Sequence, residues 1–297
     1  MKILLLGGNG QLGKSIIDQF KKSKNNIINT SRNDLDICNF DSASKKINNF
    51  KPNIIINAAA YTAVDESERK RHLADKVNNL AVNNIAKLCK INNIKLIHFS
   101  TDYVFDGLAK TPYKETSTPN PKQAYGLSKL LGENSIIKSD CDYIIIRTSW
   151  VYSEYGSNFL KTMLRLGSSQ NSIDVVNDEV GCPTYAKDIA DALLKIINDI
   201  NINKFDSGIY NYSGDTSCSW YVFAEMIFKE ALSKGIKVPK FLNPISSAKF
   251  NSMATRPKYS VLDNTKIQDR FLCKPSSLKD GVSKAISNIS KENLYND

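Results

Sequence analysis

Lys2-Ile3-Leu4-Leu5-Leu6 runs directly into Gly7-Gly8-Asn9-Gly10-Gln11-Leu12-Gly13, and the reading of this stretch decides the fold. The apolar run has the length and make-up of a buried strand. The glycines after it follow the spacing G-x-x-G-x-x-G. A turn this tight from strand into helix needs backbone angles that a Cβ resists, and a phosphate approaches the backbone closely only where side chains are missing. Leu12, Ile16, Ile17 and Phe20 then recur at helical spacing, so free N–H groups and the positive end of a helix dipole face whatever lies above the strand. A dinucleotide pyrophosphate fits that description, which makes Gly7, Asn9, Gly10, Gln11, Leu12 and Gly13 the expected cofactor-binding loop. With 14 glycines in 297 residues, chance would produce the spacing only about 0.03 times.

The composition, 41% hydrophobic and 24% charged, is ordinary for a globular chain. No apolar run approaches the length of a membrane span and no leader precedes the first strand, so no membrane partner and a cytoplasmic location are expected. The six cysteines (Cys38, Cys89, Cys141, Cys182, Cys218, Cys273) are too scattered for a zinc site and read as reduced, mostly packed thiols. The net charge of +10 comes from lysines scattered among Asn and Ile rather than gathered in a stripe. No nucleic-acid partner is therefore expected, while a basic surface favours a diphosphate-bearing cofactor and substrate by steering.

A second strand, Asn26 to Thr30, ends at Ser31-Arg32. Dinucleotide folds usually read the adenosine ribose there with an acid. A serine beside an arginine instead suits a 2′-phosphate, which favours NADPH, with NADH possible. Asp41 is a candidate cap for a short helix carrying Ala43, Ile47 and Phe50. A third strand, Ile54-Ile55-Ile56, empties into Asn57-Ala58-Ala59-Ala60-Tyr61-Thr62-Ala63-Val64-Asp65, where small residues let a cofactor lie against the backbone. A long helix from about Leu73 to Ile91 leads to the strand Lys95 to Phe99, closing at Ser100-Thr101. His98, among apolar neighbours, reads as packed, and His72 as solvated. Repeated strand–helix–strand units predict an α/β fold with a doubly wound parallel sheet, its ligands outside the carboxyl ends of the strands. Residues 1–150 are expected to form the dinucleotide-binding domain, with 180–215 returning to it. Residues 151–179 and 216–297 are expected to form a smaller α/β substrate lobe.

Tyr125 and Lys129 stand four apart on a predicted helix, Ala124 to Lys138, so both face one side. The spacing alone is weak. Its value lies in the order: nucleotide loop, then Ser100-Thr101 at a strand end, then this pair. A tyrosine of ordinary pKa near 10 is a reluctant proton shuttle at neutral pH, and an ammonium within about 4 to 6 Å would ease its ionisation by roughly 1 to 3 pKa units. In the reducing direction Tyr125 would protonate an alkoxide, Thr101 would hydrogen-bond the same oxygen, and Lys129 would also hold the nicotinamide ribose. The plainer alternative is an exposed Tyr and a solvated Lys on an amphipathic helix.

These residues, with Ser100-Thr101-Asp102-Tyr103-Val104-Phe105-Asp106-Gly107, Arg147-Thr148-Ser149-Trp150-Val151-Tyr152, Gly181-Cys182-Pro183-Thr184 and Arg256-Pro257, resemble the extended short-chain dehydrogenase/reductases nearly end to end. Within them the chain is most similar to the branch that reduces the 4-keto group of dTDP-linked deoxysugars. The resemblance implies a Rossmann-type sheet and a catalytic set of Thr101, Tyr125 and Lys129. It implies cofactor contacts from Asp36 and Ile37 near adenine and from Ala58, Ala59 and Ala60 along the dinucleotide. Substrate contacts are implied from Thr62, Val64, Thr101, Asp102, Tyr103 and Trp150, although the Trp150 ring could equally belong to the core. Glu179 stands where relatives usually carry Gln, and Ser31 where many carry Asp. Some relatives form metal-bridged dimers through a carboxylate just after the glycine loop; Lys14-Ser15 stand there instead, so no metal is expected, and a monomer or homodimer remains open. Two other readings share the fold: an epimerase or dehydratase with tightly bound NAD, and a non-catalytic NADP-binding regulatory subunit.

Overall fold

The computed structural model describes residues 1–21, 23–202 and 205–289. Its centre is a six-stranded parallel sheet of β1 (Lys2–Leu6), β2 (Asn26–Thr30), β3 (Ile54–Asn57), β4 (Lys95–Thr101), β5 (Tyr143–Thr148) and the edge strand Gly208–Asn211. These strands are apolar runs because both faces of a parallel sheet are covered. Alternate residues of β1 serve the two faces. Ile3 and Leu5 pack with Ile16 and Phe20 of the Gln11–Phe20 helix and Ile189, Leu193 and Ile196 of the Ala186–Ile202 helix. Leu4 and Leu6 pack with Ala43 and Ile47, Val82 and Ile85, and Ile136 from the helices Phe40–Phe50, Ala81–Ile91 and Ala124–Lys138. The strand order, edge strand, β5, β4, β3, β1, β2, places β2 on one side of β1 and β3 on the other. That reversal opens a crevice above their carboxyl ends.

A second core lies beyond β5. The helices Phe159–Ser169, Trp220–Ser233 and Leu278–Asn288 pack around Tyr152, Leu164, Phe223, Ile227 and Val282, beside a parallel pair of strands, Ser172–Val176 and Phe241–Ile245. Residues 203–204 and 290–297 of the expected domain segments lie outside the described residues. No helix among the described residues is long and apolar enough to cross a membrane.

Two local expectations are corrected. The cap of the Phe40–Phe50 helix is Asn39, whose side chain accepts from Ser42 N, while Asp41 sits in the first turn. The expected helix from Leu73 to Ile91 is instead Arg71–Asp75, a π-turn Lys76–Leu80 and then Ala81–Ile91. The wider turn carries Asn78, whose amide is wholly consumed inside the protein. Its Oδ1 accepts from Tyr61 N, and its Nδ2 donates to Tyr61 O and Ser128 Oγ. One buried amide thus ties the loop after β3 to the Ala124–Lys138 helix.

Candidate active site

The glycine loop is held by its own backbone and by β2: Gly7 N and Gly8 N both donate to Thr30 O, and Gly10 N donates to Gly7 O. Gly13 has to be glycine because a Cβ there would stand 2.2 Å from Gly7 O. Gly10, by contrast, faces open space, its nearest neighbour to an added Cβ being Gly7 O at 3.5 Å. The Gln11–Phe20 helix starts at Gly10 with no side-chain cap, so its first N–H groups are left for a ligand. A cleft of about 270 Å³ opens over this point, lined by Gly7, Asn9, Gly10, Ser31, Arg32, Asp36, Ile37, Ala58, Ala59 and Ala60, ten of the residues expected to hold a cofactor. Leu35, Cys38, Tyr61 and Val77 complete its walls.

Three loop residues do other work. Gly13 is buried beneath the loop and Leu12 packs on the sheet core. Gln11 turns away from the cleft: its Nε2 donates to Val151 O, and its Oε1 accepts from Ser153 Oγ and Asn158 Nδ2. It fastens the loop to the second lobe. Ser31 is engaged too, its N–H and hydroxyl both donating to Asp34 Oδ2 at 2.8 and 2.7 Å. An acid does stand near the end of β2 after all, folded back three residues on, while Arg32 is exposed.

One strand along the sheet, β4 ends at Thr101. The Ala124–Lys138 helix comes so close that a Cβ on Gly126 would stand 2.1 Å from Tyr103 O, and this approach sets Tyr125 beside Thr101. The Thr101 hydroxyl donates to Asp102 Oδ1 at 3.1 Å and accepts from Tyr103 N, and it lies close enough to the Tyr125 phenol to ease its ionisation. The Tyr103 and Tyr125 rings meet edge to face, 5.7 Å apart.

The electrostatics differ from the sequence expectation. Lys129 Nζ does not act on the phenol; it donates to Phe99 O at 2.7 Å and touches His98 Nε2 at 3.1 Å. Burial brings Lys129 down to about 8 and pushes Tyr125 up to about 12, with Thr101 pulling Tyr125 the other way. Burial also raises Asp102 to about 6. His98 is buried as expected, yet it contacts a site residue rather than only packing. His72 is exposed.

Beyond Thr101 the walls come from the second lobe. Trp150, at the end of β5 with φ 46°, stacks on Trp220 with centroids 3.4 Å apart and rings 2° from parallel, over Gly181. Glu179 is buried and has its carboxyl raised by burial against the lowering charges of Arg256 and Lys258. Arg256 pairs with Asp65 at 3.1 Å, while its buried Nε has no partner. Thr62 is exposed and Val64 half-buried where the loop after β3 enters the Val64–Arg69 helix. Trp220 and Asn78 escaped the sequence reading because an aromatic or an amide within a helical pattern carries no signal of its partner.

The RmlD substrate binding domain family matches residues 1–291. A dTDP-4-dehydrorhamnose reductase of Aggregatibacter actinomycetemcomitans is 40% identical over 292 residues, 97% of this chain and 98% of that protein. The chain belongs to the dTDP-4-dehydrorhamnose reductase family. Its fold agrees with a crystal structure of a family member from Clostridium acetobutylicum, with TM-score 0.90, 40% identity, and 97% and 99% of the two chains covered. A Bacillus anthracis member solved in complex with NADP superposes with TM-score 0.89 at 36% identity, covering 96% and 98%. The six-stranded parallel sheet is thus the Rossmann-type architecture of this family.

Proposed function

We propose that this protein reduces the 4-keto group of dTDP-4-dehydro-L-rhamnose to give dTDP-L-rhamnose, with NADPH as hydride donor. The observation that carries the reading is the Thr101 hydroxyl next to the Tyr125 phenol, one strand along from the glycine-loop cleft, in a chain of the reductase family. The uncapped helix and the open face at Gly10 suit the diphosphate, Arg32 the 2′-phosphate, Asp36 and Ile37 the adenine, and Ala58 to Ala60 the path of the dinucleotide. When bound, NADPH supplies the hydride to the carbonyl carbon.

The protein's own groups handle the oxygen. Thr101 turns its hydroxyl from Asp102 Oδ1 to donate a hydrogen bond to the keto oxygen, and Tyr125 gives its proton to that oxygen as negative charge develops. A phenol held up to about 12 stays protonated through neutral pH and is still far more acidic than an alcohol, so this transfer runs downhill. Lys129 binds the nicotinamide ribose. Thr62, Val64, Asp102, Tyr103 and Trp150 contact the nucleotide sugar, with Trp220, Glu179 and Arg256 forming the wall behind Trp150. The second lobe, residues 151–179 and 216–297, binds the substrate. The enzyme works in the cytoplasm, as a monomer or homodimer.

The test is to incubate the purified protein with NADPH and the dTDP-4-keto sugar and follow absorbance and products. One NADPH consumed per dTDP-L-rhamnose formed is expected. Conversion without net NADPH loss, carried by NAD that purifies with the protein, would refute the reading.

A further inference from the structure

Beneath the site runs a buried hydrogen-bond chain with only one self-consistent set of proton positions. Ala59 N is a backbone donor, so the Asn57 atom it meets at 3.1 Å must be the carbonyl oxygen Oδ1. The Asn57 amide Nδ2 therefore faces His98 Nδ1, 3.1 Å away, as a donor. Nδ1 has to accept, which puts the proton of the neutral imidazole on Nε2. That N–H points at Lys129 Nζ, 3.1 Å away. An ammonium has three donors and no lone pair, so it would meet Nε2–H donor to donor; a neutral amine has the lone pair to accept it. The other bond of Nζ, to Phe99 O, suits either form.

An imidazolium is no way out, because burial holds His98 well below its ordinary value. Of the charged groups around Lys129, Glu133 lies one turn on along the same helix and draws the lysine upward. It is already gripped by Arg147 of β5 through two bonds of 3.0 and 2.7 Å. From the turn after β4, Asp102 acts on Tyr125, and from the π-turn the buried Asn78 is neutral.

We propose that His98 is a positioning residue which, fixed as the Nε2–H tautomer by Asn57, holds Lys129 as a neutral amine against β4, so that engaging the cofactor ribose takes up one proton. This rests on the reading of Lys129 as the ribose-binding residue. As Nζ leaves the imidazole N–H for hydroxyl oxygens, it exchanges a donor for acceptors, and a proton from solvent completes the ammonium.

The experiment measures NADPH affinity by fluorescence from pH 7 to 10. Calorimetry in buffers of different ionisation enthalpy counts the protons. The wild type should take up close to one proton per NADPH at pH 9, with a Kd that rises roughly tenfold per pH unit above about 8. No uptake at pH 9 overturns the proposal. His98→Phe removes the donor, and Asn57→Asp presents only acceptors, moving the imidazole proton to Nδ1 and turning Nε2 into an acceptor for an ammonium. Asn57→Asp should bind NADPH at pH 9 without proton uptake, its affinity limb moved up by a pH unit or more, whereas His98→Phe leaves the burial of Lys129 in place and should lose only the part of the uptake that the imidazole donor imposes. Uptake equal to wild type in Asn57→Asp overturns it, and if that variant does not fold, the wild-type count at pH 9 decides. Lys129→Met separates this from the reading it rests on: unchanged NADPH affinity at pH 7 removes Lys129 from the ribose, whereas weaker binding with no uptake at pH 9 supports both.

Discussion

Burial, and not the lysine one turn away, sets the acidity of the Tyr125 phenol. The i to i+4 spacing correctly put Tyr125 and Lys129 on one side of the helix, but spacing says nothing about what else competes for an amine, and here a backbone carbonyl and an imidazole win. Asp102 is likewise governed by burial. Its folded-state carboxyl, near 6 rather than the usual 3.8, binds a proton that the unfolded chain releases. That contribution to stability is present below pH 3.8 and is lost as pH rises through about 6. Asp102→Asn should therefore stabilise the protein at pH 7.5 by about 1 to 3 kcal/mol and flatten the pH dependence of Tm between 4 and 6. Thermal melts across that range check it, and an unchanged pH slope would contradict the assignment. At the end of β2, Ser31-Arg32 was legible as an unusual pair, whereas the fold-back of Asp34 onto Ser31 was not, because an Asx-type turn leaves no periodic mark. With the Ser31 hydroxyl taken, the proposed contact to a 2′-phosphate falls to Arg32. Arg32→Ala should weaken NADPH binding about tenfold or more and NADH binding little, as measured by titration of each; equal losses would exclude the contact.

At the scale of elements, the strands were the easiest to read, since Ile54-Ile55-Ile56 and Ile3 to Leu6 are apolar at every position and can only be covered on both faces. Helix interruptions were the hardest. Nothing in the apolar pattern from Ala74 to Cys89 announces the π-turn, which exists because Asn78 reaches across to Tyr61 and Ser128. The Ala124–Lys138 helix depends on its glycines in a way that spacing does not reveal. Gly126→Ala puts a methyl group 2.1 Å from Tyr103 O, against backbone that cannot rotate aside. The helix must back away from the turn after β4, at a cost of about 1 to 3 kcal/mol. Because Thr101 and Tyr125 sit on opposite sides of that contact, kcat should fall together with Tm. A variant that melts like the wild type, or that loses stability with full turnover, would show that the close approach does not set the pair.

The whole molecule brings a sheet and a second lobe together through a few polar ties, Gln11 to the 151–158 loop and Asp65 to Arg256 and Ala254 N. The doubly wound sheet and its crevice followed from the order of motifs along the chain. The lobe's wall did not, because Trp150 and Trp220 stack across 70 positions of sequence and neither signals the other. In the proposed reaction these parts meet in a proton delivered from Tyr125 to the substrate oxygen, and Tyr125→Phe tests it most directly by removing one oxygen atom. NADPH oxidation in the presence of the dTDP-4-keto sugar, measured beside NADPH affinity in the same preparations, should show turnover reduced by roughly 10²-fold or more with affinity within about twofold of wild type. Turnover equal to wild type would contradict the account.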